Sequence, residues 1–270
     1  MEQQAGKAIG IFDSGVGGLT VAHSIKNILP NEKMVYFGDT AHLPYGDKSG
    51  DSIRYYAGKI SEFLLEKDCK VILIACNTAS AQAYESVREL VGNKAKVVNV
   101  IDPVVNMIAG SEGNKIVGVV GTKGTINSDT YAHKIAQLNS DIVVQSLATP
   151  LLAPMIEEGF IYDDISNAII RAYLSNAKLT GINSLILGCT HYPIIKNQIR
   201  KFFNFNVKVV DSAEIVAQQL KTYLTENKLR NTESDPNHEF FVSDYTEMFE
   251  RISEMFFEEK VHLNKIDLWK

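Results

Sequence analysis

A chain of 270 residues with 45% hydrophobic and 22% charged side chains carries enough apolar material for one large or two ordinary cores. Its net charge of -5, with lysines scattered rather than clustered, argues against a nucleic-acid or anionic-membrane surface. No apolar run reaches the ~18 residues of a membrane span, and Met1-Glu2-Gln3-Gln4 lacks the basic start and greasy core of an export signal, so a cytoplasmic protein is expected.

Apolar runs at 8–12, 34–37, 71–75, 97–100, 116–120, 142–147, 185–187 and 207–210 alternate, in all but one case, with stretches long enough for a helix. That alternation predicts βαβ units and an α/β fold with mostly parallel sheets. Asp13-Ser14-Gly15-Val16-Gly17-Gly18 follows the first run. Ser14 can cap the next helix there, and the glycines let backbone N–H groups approach an anion. The turn is neither the dinucleotide fingerprint nor a P-loop, because the glycine spacing differs and no Gly-Lys-Ser/Thr follows. Pro44-Tyr45-Gly46 is a second turn expected on the same rim.

Cys69, between the helix-like 60–67 and the third run, is expected to pack. Cys76 ends that run and precedes Asn77 and Thr78, while Cys189 ends the seventh run and precedes Thr190 and His191. Both thiols therefore fall at carboxyl ends of strands, where α/β sheets place their chemistry, with a following helix start favouring the thiolate. Ile9-Gly10-Ile11-Phe12-Asp13-Ser14-Gly15 is echoed 108 positions later by Val117-Gly118-Val119-Val120-Gly121-Thr122-Lys123. Two similar domains with a site between them follow from that repeat. By its place in the repeat, Thr122 touches a ligand or merely caps a helix.

The boundary is placed near 97–103, with Pro103 opening a helix as its first residue, which gives 1–98, 99–209 and a 210–270 return to the first domain. Residues 207–214 read as a strand, a cap at Asp211 or Ser212 and a helix; 231–238 as a polar loop; 239–242 as a late edge strand. Met248, Phe249, Ile252, Met255 and Phe256 form the core stripe of a closing helix. Three cysteines make no disulfide framework, and without a C-x-x-C pair or clustered histidines no metal is expected.

One thiolate and one thiol on opposite faces of an acidic carbon can invert it without a cofactor, the first removing a proton and the second returning one. An amino-acid α-carbon is a weak acid, so donors must stabilise the developing enediolate, each contributing ~3 kcal/mol.

Four blocks carry a family resemblance: Ile11-Phe12-Asp13-Ser14-Gly15-Val16-Gly17-Gly18-Leu19-Thr20, Phe37-Gly38-Asp39-Thr40-Ala41-His42-Leu43-Pro44-Tyr45-Gly46, Ala75-Cys76-Asn77-Thr78-Ala79-Ser80 and Leu187-Gly188-Cys189-Thr190-His191-Tyr192-Pro193. Through them the chain resembles the glutamate racemases of the aspartate/glutamate racemase superfamily. The resemblance implies cofactor-independent interconversion of L- and D-glutamate for peptidoglycan precursors, two pseudosymmetric α/β domains with the site in their cleft, and a homodimer. Carried over by position, it implies that Cys76 is the base for the D-isomer and Cys189 for the L-isomer, with Asp13 and His191 assisting the thiols. It gives Asp39 and Glu157 secondary catalytic roles, Glu157 being preferred to Glu158 by its flanks. Ser14, Pro44, Tyr45, Gly46, Asn77, Thr78, Thr190 and His191, with Asp13, match substrate-contacting positions. Against these stand plainer readings: a single strand-end cysteine usually packs, Asp13 can cap a helix, and His191 can satisfy a carbonyl. Aspartate racemisation and a catalytically silent acidic-metabolite binding module are the competing functions.

Overall fold

The computed structural model describes residues 2–113, 115–232 and 236–269. Its ten strands among those residues are β1 (Ile9–Asp13), β2 (Met34–Gly38), β3 (Val71–Ile74), β4 (Lys96–Asn99), β5 (Ile116–Gly121), β6 (Val143–Ala148), β7 (Ser184–Gly188), β8 (Lys208–Val210), β9 (Glu239–Val242) and β10 (Leu263–Lys265). All eight expected runs form strands. They build two sheets, β10-β9-β2-β1-β3-β4 and β6-β5-β7-β8, in which every pairing is parallel. Helices cover both faces, so β1, β3 and β7 are buried along their whole length and can be apolar without alternation.

The order β6-β5-β7-β8 repeats β2-β1-β3-β4 one copy later, which is the pseudosymmetry the sequence echo predicts. One buried cluster runs from Ile9, Ile11 and Leu73 to Val120, Leu185 and Leu187, joining the two sheets through a common core. Cys69 fills space beside β1: a Cβ on Gly10 would lie 3.0 Å from its sulfur. At Gly38 a Cβ would meet the Gly15 carbonyl oxygen at 2.1 Å, so only glycine lets β2 pass under the first turn. No helix among the described residues is long and apolar enough to cross a membrane.

Four local expectations are corrected. Residues 239–242 are not an edge: β9 lies between β2 and β10, and the outer strand is three residues long, too short to register as a periodic pattern. In the helix Glu247–Phe257 the buried face is Ile252, Ser253, Phe256 and Phe257, with Phe249 partly buried, while Met248 and Met255 are exposed. The buried stripe is rotated towards position 257, leaving both methionines on its flank. Ser14 caps nothing, because the helix begins at Leu19 and the Asp13 carboxylate takes the turn's N–H groups instead. Pro103 is the second residue of the helix Asp102–Ala109; Asn99 accepts from the N–H groups of Ile101 and Asp102 just ahead of it.

Asp211, rather than Ser212, accepts from the Ala213 N–H at 3.3 Å to start the helix Ala213–Glu226. That helix packs against Leu19–Ile28, and β9 and β10 then complete the first sheet. Of the expected polar loop, 231–232 and 236–238 have no regular structure, and 233–235 lie outside the described residues.

Candidate active site

Ser14, Cys76, Thr122 and Cys189 follow β1, β3, β5 and β7, a pair of neighbouring strands in each sheet, and all four line one cavity between the sheets. Leu43, Pro44, Tyr45, Gly46, Asn77, Thr78, Ala153, Glu157, Gly188, Thr190 and His191 complete its wall. The enclosed space is about 30 Å³, room for a water molecule or two.

Cys76 is 5% exposed and is itself the N-cap of the helix Asn77–Val91, where the Ala79 N–H donates to its sulfur at 3.4 Å. Its thiol donates to Ser14 Oγ at 3.6 Å. Burial, then the nearby Asp13 charge, pushes the thiol up to about 12, outweighing both hydrogen bonds. A thiolate favoured by the helix start, as the sequence suggested, is therefore overridden by burial. Cys189 is followed by the short 3-10 turn Tyr192–Ile195 instead of a long helix, and His191 Nδ1 lies 3.6 Å from its sulfur.

His191 is held from two sides. Its Nε2 sits 2.8 Å from Glu157 Oε1, close but poorly aligned for a hydrogen bond, and Phe256 meets its ring edge-on at 5.5 Å. Burial alone would lower the His191 pKa, but contact with Cys189 and then Glu157 reverses this and raises it well above the usual imidazole value. A protonated His191 thus sets a positive charge beside the Cys189 sulfur. Gly17 makes the approach possible: a Cβ there would lie 2.4 Å from the imidazole Cε1. Glu158, the other acid at this place, is exposed and absent from the wall.

Asn77 Oδ1 accepts from Tyr131 OH at 2.7 Å, across the cleft, while its Nδ2 has no hydrogen-bond partner among the described residues. The Tyr131 bond fixes the amide with its donor end free for a ligand. Thr78 and Thr122 hydroxyls are 2.8 Å apart, and each lies 3.2 Å from Thr125 Oγ1, a hydroxyl triangle linking the two halves. Thr122 also accepts from the Thr125 N–H, so it both caps a helix and lines the cavity. The Thr190 carbonyl accepts from Thr20 Oγ1 at 3.0 Å.

Two predicted residues stand behind the wall. Asp13 is fully buried; its Oδ2 accepts from the N–H groups of Gly15 and Gly18 at 3.2 and 3.0 Å, and burial raises its pKa against the opposing His191 charge and turn N–H groups. Asp39, also fully buried, accepts from Tyr45 OH at 2.7 Å, from Ser243 Oγ at 2.7 Å and from His42 Nδ1 at 2.9 Å. It anchors the Pro44-Tyr45-Gly46 rim from below. Tyr131, Thr125, Ser243 and His42 were not singled out by the sequence, although His42 lies inside the Asp39–Gly46 motif and Thr125 three residues after Thr122.

Comparison with known proteins gives the family. Residues 20–220 match the Asp/Glu/Hydantoin racemase family. The chain is 43% identical to the glutamate racemase of Geobacter metallireducens over 93% of this chain and 92% of that one. The crystal structure of glutamate racemase from Francisella tularensis subsp. tularensis in complex with D-glutamate superposes with a TM-score of 0.92 at 41% identity, covering 98% of this chain and 99% of that one. Glutamate racemase isoform RacE1 from Bacillus anthracis gives a TM-score of 0.92 at 33% identity, with 97% and 98% covered. The chain belongs to the Asp/Glu/Hydantoin racemase family, in its glutamate racemase branch.

Proposed function

We propose that this protein interconverts L- and D-glutamate by two-base proton transfer between Cys76 and Cys189, supplying D-glutamate for peptidoglycan precursors as a cytoplasmic homodimer divided into 1–98, 99–209 and a 210–270 return. The observation that carries the reading is that both cysteines, from equivalent strand ends of two sheets, line one cavity whose wall carries the unpartnered Asn77 Nδ2 donor. The D-glutamate bound to the Francisella tularensis relative supports the choice of amino acid.

In the L-to-D direction Cys189, charge-balanced by His191, takes the α-proton while the thiol of Cys76 gives one up on the other face. The roles exchange on return. Asn77 Nδ2 and the hydroxyls of Ser14, Thr78, Thr122 and Thr190 are the donors available to substrate carboxylates and the enediolate, each contributing ~3 kcal/mol if aimed at developing charge. Asp13 acts at one remove, its charge keeping the proton on Cys76. Asp39 acts by holding Tyr45. With so little free space, the two halves must part to admit an amino acid and close again to exclude water.

In heavy water, early product is expected to carry deuterium at the α-carbon while unreacted substrate stays largely unlabelled. Equal early labelling of both isomers would point to a single base and end the two-thiol scheme.

Enantiomers have equal free energy, so kcat/KM must be equal in the two directions at every pH. The productive enzyme holds one proton on the thiol pair, and Cys76 keeps its proton until about pH 12. As pH rises, activity is lost when that last proton leaves or when His191, whose pKa is also raised, gives up the charge that balances Cys189. With the titration of the substrate ammonium divided out, kcat/KM is therefore expected to stay level to about pH 10, well past the ordinary thiol value of ~8.5. Measured profiles that fall near pH 8–9 in both directions would contradict the raised thiol.

A further inference from the structure

We propose that Trp269 is a positioning residue for substrate binding, fixing the Leu43–Gly46 rim through His42 and Asp39. The chain after β10 continues alongside β9, with the Ile266 N–H donating to the Val242 carbonyl at 2.9 Å. This delivers the indole of Trp269 to the outer side of the rim. There it meets His42 edge-on, with centroids 4.6 Å apart and rings at 89°, and Tyr56 at 5.3 Å and 75°. His42 is stacked on Tyr56 at 4.1 Å and 17°, so its imidazole is walled on two sides by aromatic rings.

His42 Nδ1 faces both Asp39 oxygens, at 2.9 and 3.0 Å. The same carboxylate accepts from Tyr45 OH at 2.7 Å, and Tyr45, 1% exposed, lines the cavity beside the cysteines. Tyr45 also touches Tyr56 at 5.8 Å. Trp269 is thus linked to the rim twice, once through His42 and Asp39 and once through Tyr56. Neither route reaches a sulfur. Loosening the rim should weaken substrate in ground and transition states alike, a loss that appears in KM and leaves kcat in place. The inference rests on the glutamate-racemase reading of the cavity.

The test compares wild type, Trp269→Phe and Trp269→Ala in glutamate racemisation, with melting followed alongside. The Ala variant is expected to raise KM about fivefold with kcat within about twofold, and Phe to restore most of the difference, as the worth of an aromatic pair implies. In a His42→Ala background the Trp269→Ala effect is expected to shrink, since both act on one chain of contacts. Trp269 is the only tryptophan in the chain, so emission of the wild-type protein reports this contact directly. Glutamate is expected to shift that emission with a midpoint near KM, and this measurement decides the matter if the Ala variant does not fold. An unchanged KM in the Ala variant, a kcat loss as large as the KM gain, or emission indifferent to saturating glutamate overturns the proposal. A wild-type protein that does not racemise glutamate overturns instead the reading on which it rests.

Discussion

Cys76→Ala and Cys189→Ala are each expected to abolish racemisation while leaving α-hydrogen exchange on one isomer. The two sulfurs reach the cavity from different sheets, one after β3 and the other after β7, so a variant lacking one retains a base on only one side. In heavy water Cys76→Ala should slowly label L-glutamate and form no D-isomer; Cys189→Ala should do the converse. General acid–base groups contribute about 10²–10⁴-fold each, and losing the acid that completes inversion removes turnover at least on that scale. Folding is expected to survive, because a buried thiol becomes a methyl group and Cys76 gives up one cap contact, about 1 kcal/mol. Chiral analysis with mass detection of α-deuterium reads both results. Ordinary turnover in either variant would remove that sulfur from the mechanism, and labelling of both isomers by one variant would mean that a single sulfur reaches both faces.

The sequence made the sheets legible because a strand buried on both faces is written as an unbroken apolar run, as in Val71-Ile72-Leu73-Ile74 and Ser184-Leu185-Ile186-Leu187-Gly188. β10 escaped for want of length, and β9 was misplaced as an edge for the same reason. Residues directly attached to strand ends, Ser14, Cys76, Asn77, Thr122 and Cys189, could be placed in the cavity because topology alone carries them there. Side chains that act across the cleft or from behind its wall could not: Tyr131 reaches Asn77 from 54 positions away and Ser243 reaches Asp39 from 204. The ionisation of Cys76 was misread for a related cause, since a helix start is visible in sequence whereas full burial beside Asp13 is a property of the assembled core.

Burial also sets the largest expected effect on stability, at Lys70. Its side chain is 1% exposed and pairs at 2.6 Å with Glu32, itself 1% exposed. Lys70 Nζ also donates to the carbonyls of Ala5 and Leu229, and Glu32 Oε1 accepts from the Asn231 N–H at 2.8 Å. One ammonium thereby ties together the amino-terminal segment, the turn before β2, the entry to β3 and the loop after the helix Ala213–Glu226. Lys70→Met would strand the Glu32 carboxylate in the interior, and leaving one partner of such a pair costs about 3–5 kcal/mol. The ion pair stands at the amino end of β3 and the cysteine at its carboxyl end, so kcat/KM measured well below the melting temperature is expected to stay within about twofold of wild type. Replacing both partners, Lys70→Met with Glu32→Leu, should recover much of the loss, because apolar packing removes the desolvation cost that the pair only partly offsets. Urea unfolding of the three proteins measures this directly. A loss below about 1 kcal/mol in Lys70→Met would mean that water reaches Glu32 and that the four segments are held by their apolar contacts alone.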